Sequence, residues 1–370
     1  MYLFARRLKA FPLPWLLFAT LILAGCSSKP LQPFTTDIAP LMLAPAMQSE
    51  SQDRRGRFRE IFCAVLEARK TNMPDHLPCD QALIRIGAEP PGSGEPVHLG
   101  PARRPLRLVF VPGLGWDCFA NWLGQFESAY RHLESLGYTM TILEIDGLSS
   151  SQHNARLIRD AIRSLPQSED ADILALGYSK GMVDLLTALT EYPEIQTRMA
   201  AVASLAGAVG GSPLAYDASA DELELMRYFP GAECEHTGDQ ALIDLQPDTR
   251  KNWLAEHPLP AQIPFYSLIT FPQPERISRI LKTSYNKLSR VDPRNDSQLI
   301  FYDQFIPGSD LIAYLNADHL AVALPIDEKH QLISSLFVDE NTFPRDALYE
   351  ALMRFIEEEM ALASVQQTAQ

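Results

Sequence analysis

Basic residues are scarce in this chain: 32 lysines and arginines stand against 46 aspartates and glutamates in 370 residues, a formal charge of −14. Phosphate backbones and anionic membrane surfaces repel such a balance, which argues against nucleic acid as a partner. Cysteine is sparse too, at five residues, and with the eight histidines it forms no cluster at metal-ligand spacing. No glycine-rich phosphate loop is present. The apolar run near the start, Phe11 to Ala24, is too short for a bilayer-spanning helix.

What that run offers instead is a secretion signal over residues 1–25. Arg6, Arg7 and Lys9 give its charged start, and it closes in Leu23-Ala24-Gly25-Cys26. This close resembles a bacterial lipobox, which implies a lipid on Cys26 and a chain anchored to a membrane rather than spanning it. With Ser27 next, the resemblance implies a place in the cell envelope, at the outer membrane. Removing the signal removes three basic and no acidic groups, so the mature chain is more acidic still. Prolines spaced through residues 26–52 make an extended tether.

Residues 53–103 read as a small accessory piece. Phe58, Ile61, Phe62, Val65 and Leu66 recur at helical spacing, and a second short helix is expected over Asp80 to Ile86. A Pro/Gly-rich linker, Pro90 to Pro101, follows. In an exported chain four cysteines remain for pairing once Cys26 is acylated, and three pairings are open. Cys63 and Cys79 flank the turn of this helical hairpin and make the simplest bridge.

The remaining stretch, 104–370, is long enough for one large α/β domain. Strand-like runs (Leu106 to Val111, Tyr138 to Ile145, Asp172 to Tyr178, Met199 to Leu205, Phe265 to Phe271, Asp310 to Asn316) alternate with helical patterns such as Phe119 to Leu136 and Arg156 to Leu165. That alternation predicts a mostly parallel sheet covered on both faces, with its ligand site at the carboxyl ends of the strands. Between about 210 and 262 the pattern is helical and acidic without a strand, which predicts a cap over that site. Leu223, Leu225, Met226, Tyr228, Phe229 and Trp253 form either an acyl site or the cap's own core. Cys118 and Cys234 would tie the cap to the rim of the site.

One junction carries chemistry. Gly177-Tyr178-Ser179-Lys180-Gly181 sits between the apolar run Asp172 to Leu176 and a helical pattern. A serine there can occupy a strained strand-to-helix turn with its hydroxyl exposed, and the amide of Lys180 can face a developing oxyanion. Pro112-Gly113-Leu114-Gly115 after the first strand would supply the second amide, from Leu114. Serine needs a base and the base an orienting acid, met in the chain order serine, acid, histidine. His319, just past the last strand, is the candidate base. Asp292, Asp296 and Asp303 all follow the preceding strand. Asp296 is preferred and Asp303 is the alternative, while Asp318 is expected to be structural.

Taken together, Gly177 to Gly181, Asn295-Asp296 and Ala317 to Ala321 resemble the α/β-hydrolase serine esterases and lipases of exported bacterial lipoproteins, as does Asp244 to Arg250 in the cap. Asn295 to Gln298 is similar to the Asn-Asp-Gly turn on which many lipases carry their acid, with Ser297 where glycine is usual. Pro112 replaces the customary histidine of the oxyanion turn. The resemblance implies an enzyme cleaving carboxylic esters through an acyl-enzyme, with no metal and no organic cofactor. Acyl transfer or thioester cleavage would use the same triad, and a lipid-anchored envelope scaffold without turnover is the non-enzymatic alternative.

Overall fold

The computed structural model describes residues 51–73, 75–118, 127–166, 172–218, 239–324 and 342–368. In chain order its elements are α1 (Arg55–Arg69), α2 (Cys79–Ala82), β1 (Leu106–Val111), α3 (Glu127–Ser135), β2 (Thr139–Ile142), α4 (Ser151–Ser164), β3 (Asp172–Tyr178), α5 (Lys180–Glu191), β4 (Met199–Leu205), α6 (Gln240–Asp244), α7 (Pro247–Glu256), β5 (Phe265–Thr270), α8 (Lys282–Leu288), β6 (Asp310–Leu315) and α9 (Arg345–Thr368). The six strands form one sheet in the order β2-β1-β3-β4-β5-β6. All five pairings are parallel. This is the α/β-hydrolase arrangement expected from the sequence, with β3 inside the sheet.

Period-two alternation splits the core between the two faces. Leu108, Phe110, Leu174 and Leu176 point to one side and pack with Leu352 and Phe355 of α9. Val109, Val111, Ile173 and Ala175 point to the other and pack with Ile158 and Ile162 of α4 and Leu185 and Leu189 of α5. Both faces of β1 from Leu108 and of β3 from Ile173 are therefore dry, which is why these stretches read as continuous apolar runs.

Several expected boundaries shift. The helix expected from Arg156 starts five residues earlier, because Ser150 caps it by accepting a hydrogen bond from the His153 amide at 3.1 Å. The strand expected over Tyr138 to Ile145 contracts to β2. Of the helix expected over Phe119 to Leu136, residues 119–126 lie outside the described residues and the rest is α3.

The second helix of the accessory piece is shorter than expected. Helix α2 stops at Ala82, and Leu83 bridges Leu315 while the Ile84 amide donates to the Tyr314 carbonyl at 2.9 Å. Residues 52–54 join the same free edge, with Arg54 N to Leu311 O at 2.8 Å and Leu311 N to Gln52 O at 3.0 Å. An edge strand carries a row of unpaired donors and acceptors, and satisfying them outweighs the weak propensity of a short helix. Cys63 and Cys79 are disulfide-bonded, Cα to Cα 5.3 Å, which pins α2 to α1. Cys118 is disulfide-bonded as well. Its expected partner Cys234, like Cys26, the signal and nearly all of the tether, lies outside the described residues.

Candidate active site

The nucleophile candidate sits where β3 turns into α5. Ser179 has φ 54 and ψ −126, a left-handed conformation that costs a non-glycine residue about 1–2 kcal/mol. The turn is held by Ser179 O, which accepts from Met182 N at 3.1 Å and Ala208 N at 3.0 Å. Both flanking glycines are needed for closeness. A Cβ on Gly177 would lie 2.6 Å from Met182 Cα, and one on Gly181 would lie 2.2 Å from the Val111 carbonyl oxygen. The motif is thus the only backbone that lets β1, β3 and α5 converge at this point.

Ser179 Oγ lies 2.9 Å from His319 Nε2, and His319 Nδ1 lies 2.8 Å from Asp296 Oδ2. An Nδ1–H donated to the carboxylate leaves Nε2 as an acceptor facing the serine hydroxyl. Asp296 is fully buried, yet its charge is answered on both oxygens. Oδ1 accepts from the amides of Gln298 (2.9 Å) and Leu299 (2.7 Å), and Oδ2 accepts the Thr270 hydroxyl at 2.7 Å as well as His319. His319 is also held through its backbone: its N donates to Asp296 O at 2.9 Å, and Tyr178 Oη donates to His319 O at 2.6 Å.

The other candidates go elsewhere. Asp303 is fully buried, neither carboxylate oxygen has a hydrogen-bond partner among the described residues, and burial pushes its pKa well up. Asp292 pairs with Arg294 at 2.7 Å. Asp318 is raised by burial, and its carboxylate accepts the amides of Ser278, Leu320 and Ala321, the structural part expected of it. Lys180 directs its Nζ into the protein, 2.8 and 2.9 Å from the two oxygens of Asp184. Its amide opens α5, and a first-turn amide has no partner within its own helix. Gly113 brings the Pro112–Gly115 turn against Ser179, since a Cβ there would fall 2.8 Å from Ser179 Cβ.

A cavity of about 360 Å³ opens beside Ser179 and His319. Its apolar lining includes Leu114, Trp116, Leu242, Leu245, Leu320 and Leu324. Among the described residues that line it, His319 is the one titratable base, and none carries a carboxylate or an ammonium group. Residues 223–229 and His236 and His330 lie outside the described residues. Trp253 faces away from the cavity, stacked on His257 at 4.7 Å and under Arg250 at 4.5 Å. The Asp244–Arg250 segment acts as a brace: Arg250 Nε donates to Val209 O at 3.1 Å and Leu245 O accepts from Ser212 N at 2.8 Å. It thereby props the small-residue run 206–213 beneath the cavity.

Tyr178, Thr270 and Gln304 were not singled out for a role from sequence. The only local signal was a polar residue ending each of two apolar strands, Tyr178 on β3 and Thr270 on β5.

No protein-family model and no curated protein matches the sequence. Solved structures do. The chain is similar to the metagenomic carboxyl esterase MGS0156 at 37% identity, covering 92% of this chain and 99% of that one with a TM-score of 0.80. More distant likenesses are the mature lipase BlEst2 of Bacillus licheniformis (20% identity, 68% of this chain and 97% of that one, TM-score 0.48) and EstA of Clostridium botulinum (12%, 86% and 97%, TM-score 0.49).

Proposed function

Given that the chain belongs to the carboxyl esterases of the α/β-hydrolase fold, and so hydrolyses carboxylic esters, we propose that Ser179, His319 and Asp296 are its catalytic triad and that its substrates are esters with an apolar acyl group. The observation that carries the reading is the unbroken relay from Ser179 Oγ through both ring nitrogens of His319 to Asp296.

In this mechanism Ser179 Oγ attacks the acyl carbonyl carbon while its proton passes to His319 Nε2. Asp296 holds the ring in the required tautomer and stabilises the imidazolium. The amides of Leu114 and Lys180 receive the oxyanion of the tetrahedral intermediate. Collapse returns the proton to the leaving alcohol and leaves the acyl group on Ser179. Water, activated by His319, then releases the carboxylic acid. The family assignment favours water as acceptor over the alcohol or amine that acyl transfer would need.

The leucine-lined cavity favours an aliphatic chain over a charged one, because a buried charge would find no ionic partner among the described lining residues. Cys26 is proposed to carry a lipid that holds the enzyme in the cell envelope, at the outer membrane, and Cys118 is proposed to pair with Cys234. Hydrolysis of p-nitrophenyl esters of increasing acyl length, by the protein starting after Cys26, tests the reading. Ser179→Ala should abolish turnover, and undiminished activity in that variant would overturn it.

A further inference from the structure

Resting on the triad reading, we propose that Tyr178 is a positioning residue for the base: its phenol clamps the His319 backbone so that the imidazole stays on Ser179. The Tyr178 hydroxyl donates to the His319 carbonyl at 2.6 Å. On the other side the His319 amide donates to the Asp296 carbonyl at 2.9 Å. Both backbone polar groups of the base are therefore held by the neighbourhood of its two triad partners. The acid residue holds one, and the residue preceding the nucleophile holds the other.

That second clamp is stiff for identifiable reasons. Tyrosine has two side-chain torsions, and here the ring is fixed on three sides. Phe110 stacks at 6.2 Å, Trp116 meets it edge-on at 6.3 Å, and the His319 ring lies 5.2 Å away. Its backbone is the last residue of β3, paired with Leu205 of β4. The end of β3 thus presents two fixed points to one residue: Ser179 Oγ to the His319 ring and Tyr178 Oη to the His319 carbonyl. The phenol stays protonated and able to donate, since burial and the nearby Asp296, Asp318 and Tyr349 all push its pKa up. Without the hydroxyl, the His319 carbonyl is left buried and unpaired. The loop after β6 would then relax to satisfy it, and displacement of a catalytic group by about 1 Å is enough to cost up to about 100-fold in rate.

Tyr178→Phe keeps the ring and removes the donor. The assay is kcat per competent site, with sites counted by stoichiometric fluorophosphonate labelling, alongside KM and the labelling rate constant. The expected result is a kcat per site lower by about 10–100-fold, a labelling rate constant lower by a similar factor, and KM within about twofold of the parent. A purely structural tyrosine would lower the number of competent sites and leave each at full speed, so a parental kcat per site overturns the proposal. Should the variant not fold, a multiply fluorinated tyrosine at 178 decides. Its phenol loses its proton at lower pH, so kcat per site should fall on the alkaline side, where the parent is still at full rate. Superimposable profiles over a pH range in which the fluorinated phenol is seen by its absorbance to lose its proton would overturn the proposal. Failure of the triad reading is separable: it shows as a label on a residue other than Ser179, or as an active Ser179→Ala.

Discussion

Gln304 binds Thr270 as a neighbouring strand would. Its Oε1 accepts the Thr270 amide at 2.7 Å and its Nε2 donates to the Thr270 carbonyl at 2.8 Å. This buried side-chain bridge caps the end of β5 and aims the threonine hydroxyl at Asp296 Oδ2, 2.7 Å away. The hydroxyl has one proton to give, and the shorter of its two contacts, Asp296 against Gln304 Oε1 at 3.1 Å, receives it.

Thr270→Val should therefore disturb catalysis more than binding. Valine fills the same space without the donor, so the oxygen that serves His319 loses one of its fixed partners. kcat is expected to fall by about tenfold, the scale of one charge-assisted hydrogen bond of about 1.5 kcal/mol, with KM unchanged. Thr270→Ser should retain most of the activity. Steady-state kinetics of the two variants against the same p-nitrophenyl ester checks both statements.

Ser297 is where the acid turn is strained. Its φ is 86, in the left-handed region, and its buried hydroxyl has no hydrogen-bond partner. Glycine removes a conformational penalty of about 1–2 kcal/mol and returns about 0.4–1 kcal/mol of chain entropy to the unfolded state. Ser297→Gly should accordingly stabilise the fold by about 0.5–1 kcal/mol, read as a rise in Tm with activity retained. A lower Tm would mean that the hydroxyl makes a contact that offsets the strain.

A second charged network lies far from the site, under the C-terminal helix. Burial would raise Glu350, but hydrogen bonds from His132, Arg69 and Arg354 outweigh it and hold its carboxyl down at about 2, from an ordinary 4.5. Because the folded value is the lower one, this group's stabilisation is complete above the ordinary value and disappears as pH falls from there toward about 2. Glu350→Gln should cost about 3 kcal/mol at neutral pH and flatten the acid limb of stability between those values. Chemical denaturation from pH 2 to pH 7 reads both effects.

How much of this was legible follows from which contacts are local. The turn at Ser179 was, since Gly177 is required by a contact with Met182, five residues on, within a strand, a turn and a helix adjacent in sequence. Ser297 departs from an expected glycine, and its left-handed φ supplies the physical reason for that expectation. Helix α2 was overextended because its competitor, the free edge of β6, lies more than two hundred residues away. Tyr178, Thr270 and Gln304 owe their positions to the stacking of strands in the sheet, which composition and periodicity do not encode. Chain order placed three aspartates after β5 and could not say which way each carboxylate points.

The last of those choices yields the sharpest contrast. Asp303, one of the three, is fully buried with both oxygens unpaired, and burial alone raises its pKa well above the ordinary value of 3.8. A raised folded value means the native state holds this proton more tightly than the unfolded chain. Its contribution is therefore favourable at low pH and is lost as pH rises above the ordinary carboxylate range. Asp303→Asn carries no such proton: relative to the parent it should gain stability steadily with rising pH, with little change in kcat. Asp296→Asn should do the reverse, leaving Tm near the parent's and lowering kcat by about 10⁴-fold through loss of the correct His319 tautomer. Measuring Tm from pH 4 to 9 and kcat at neutral pH for the pair separates the two carboxylates. A collapse of kcat in Asp303→Asn, with Asp296→Asn still active, would reverse their roles.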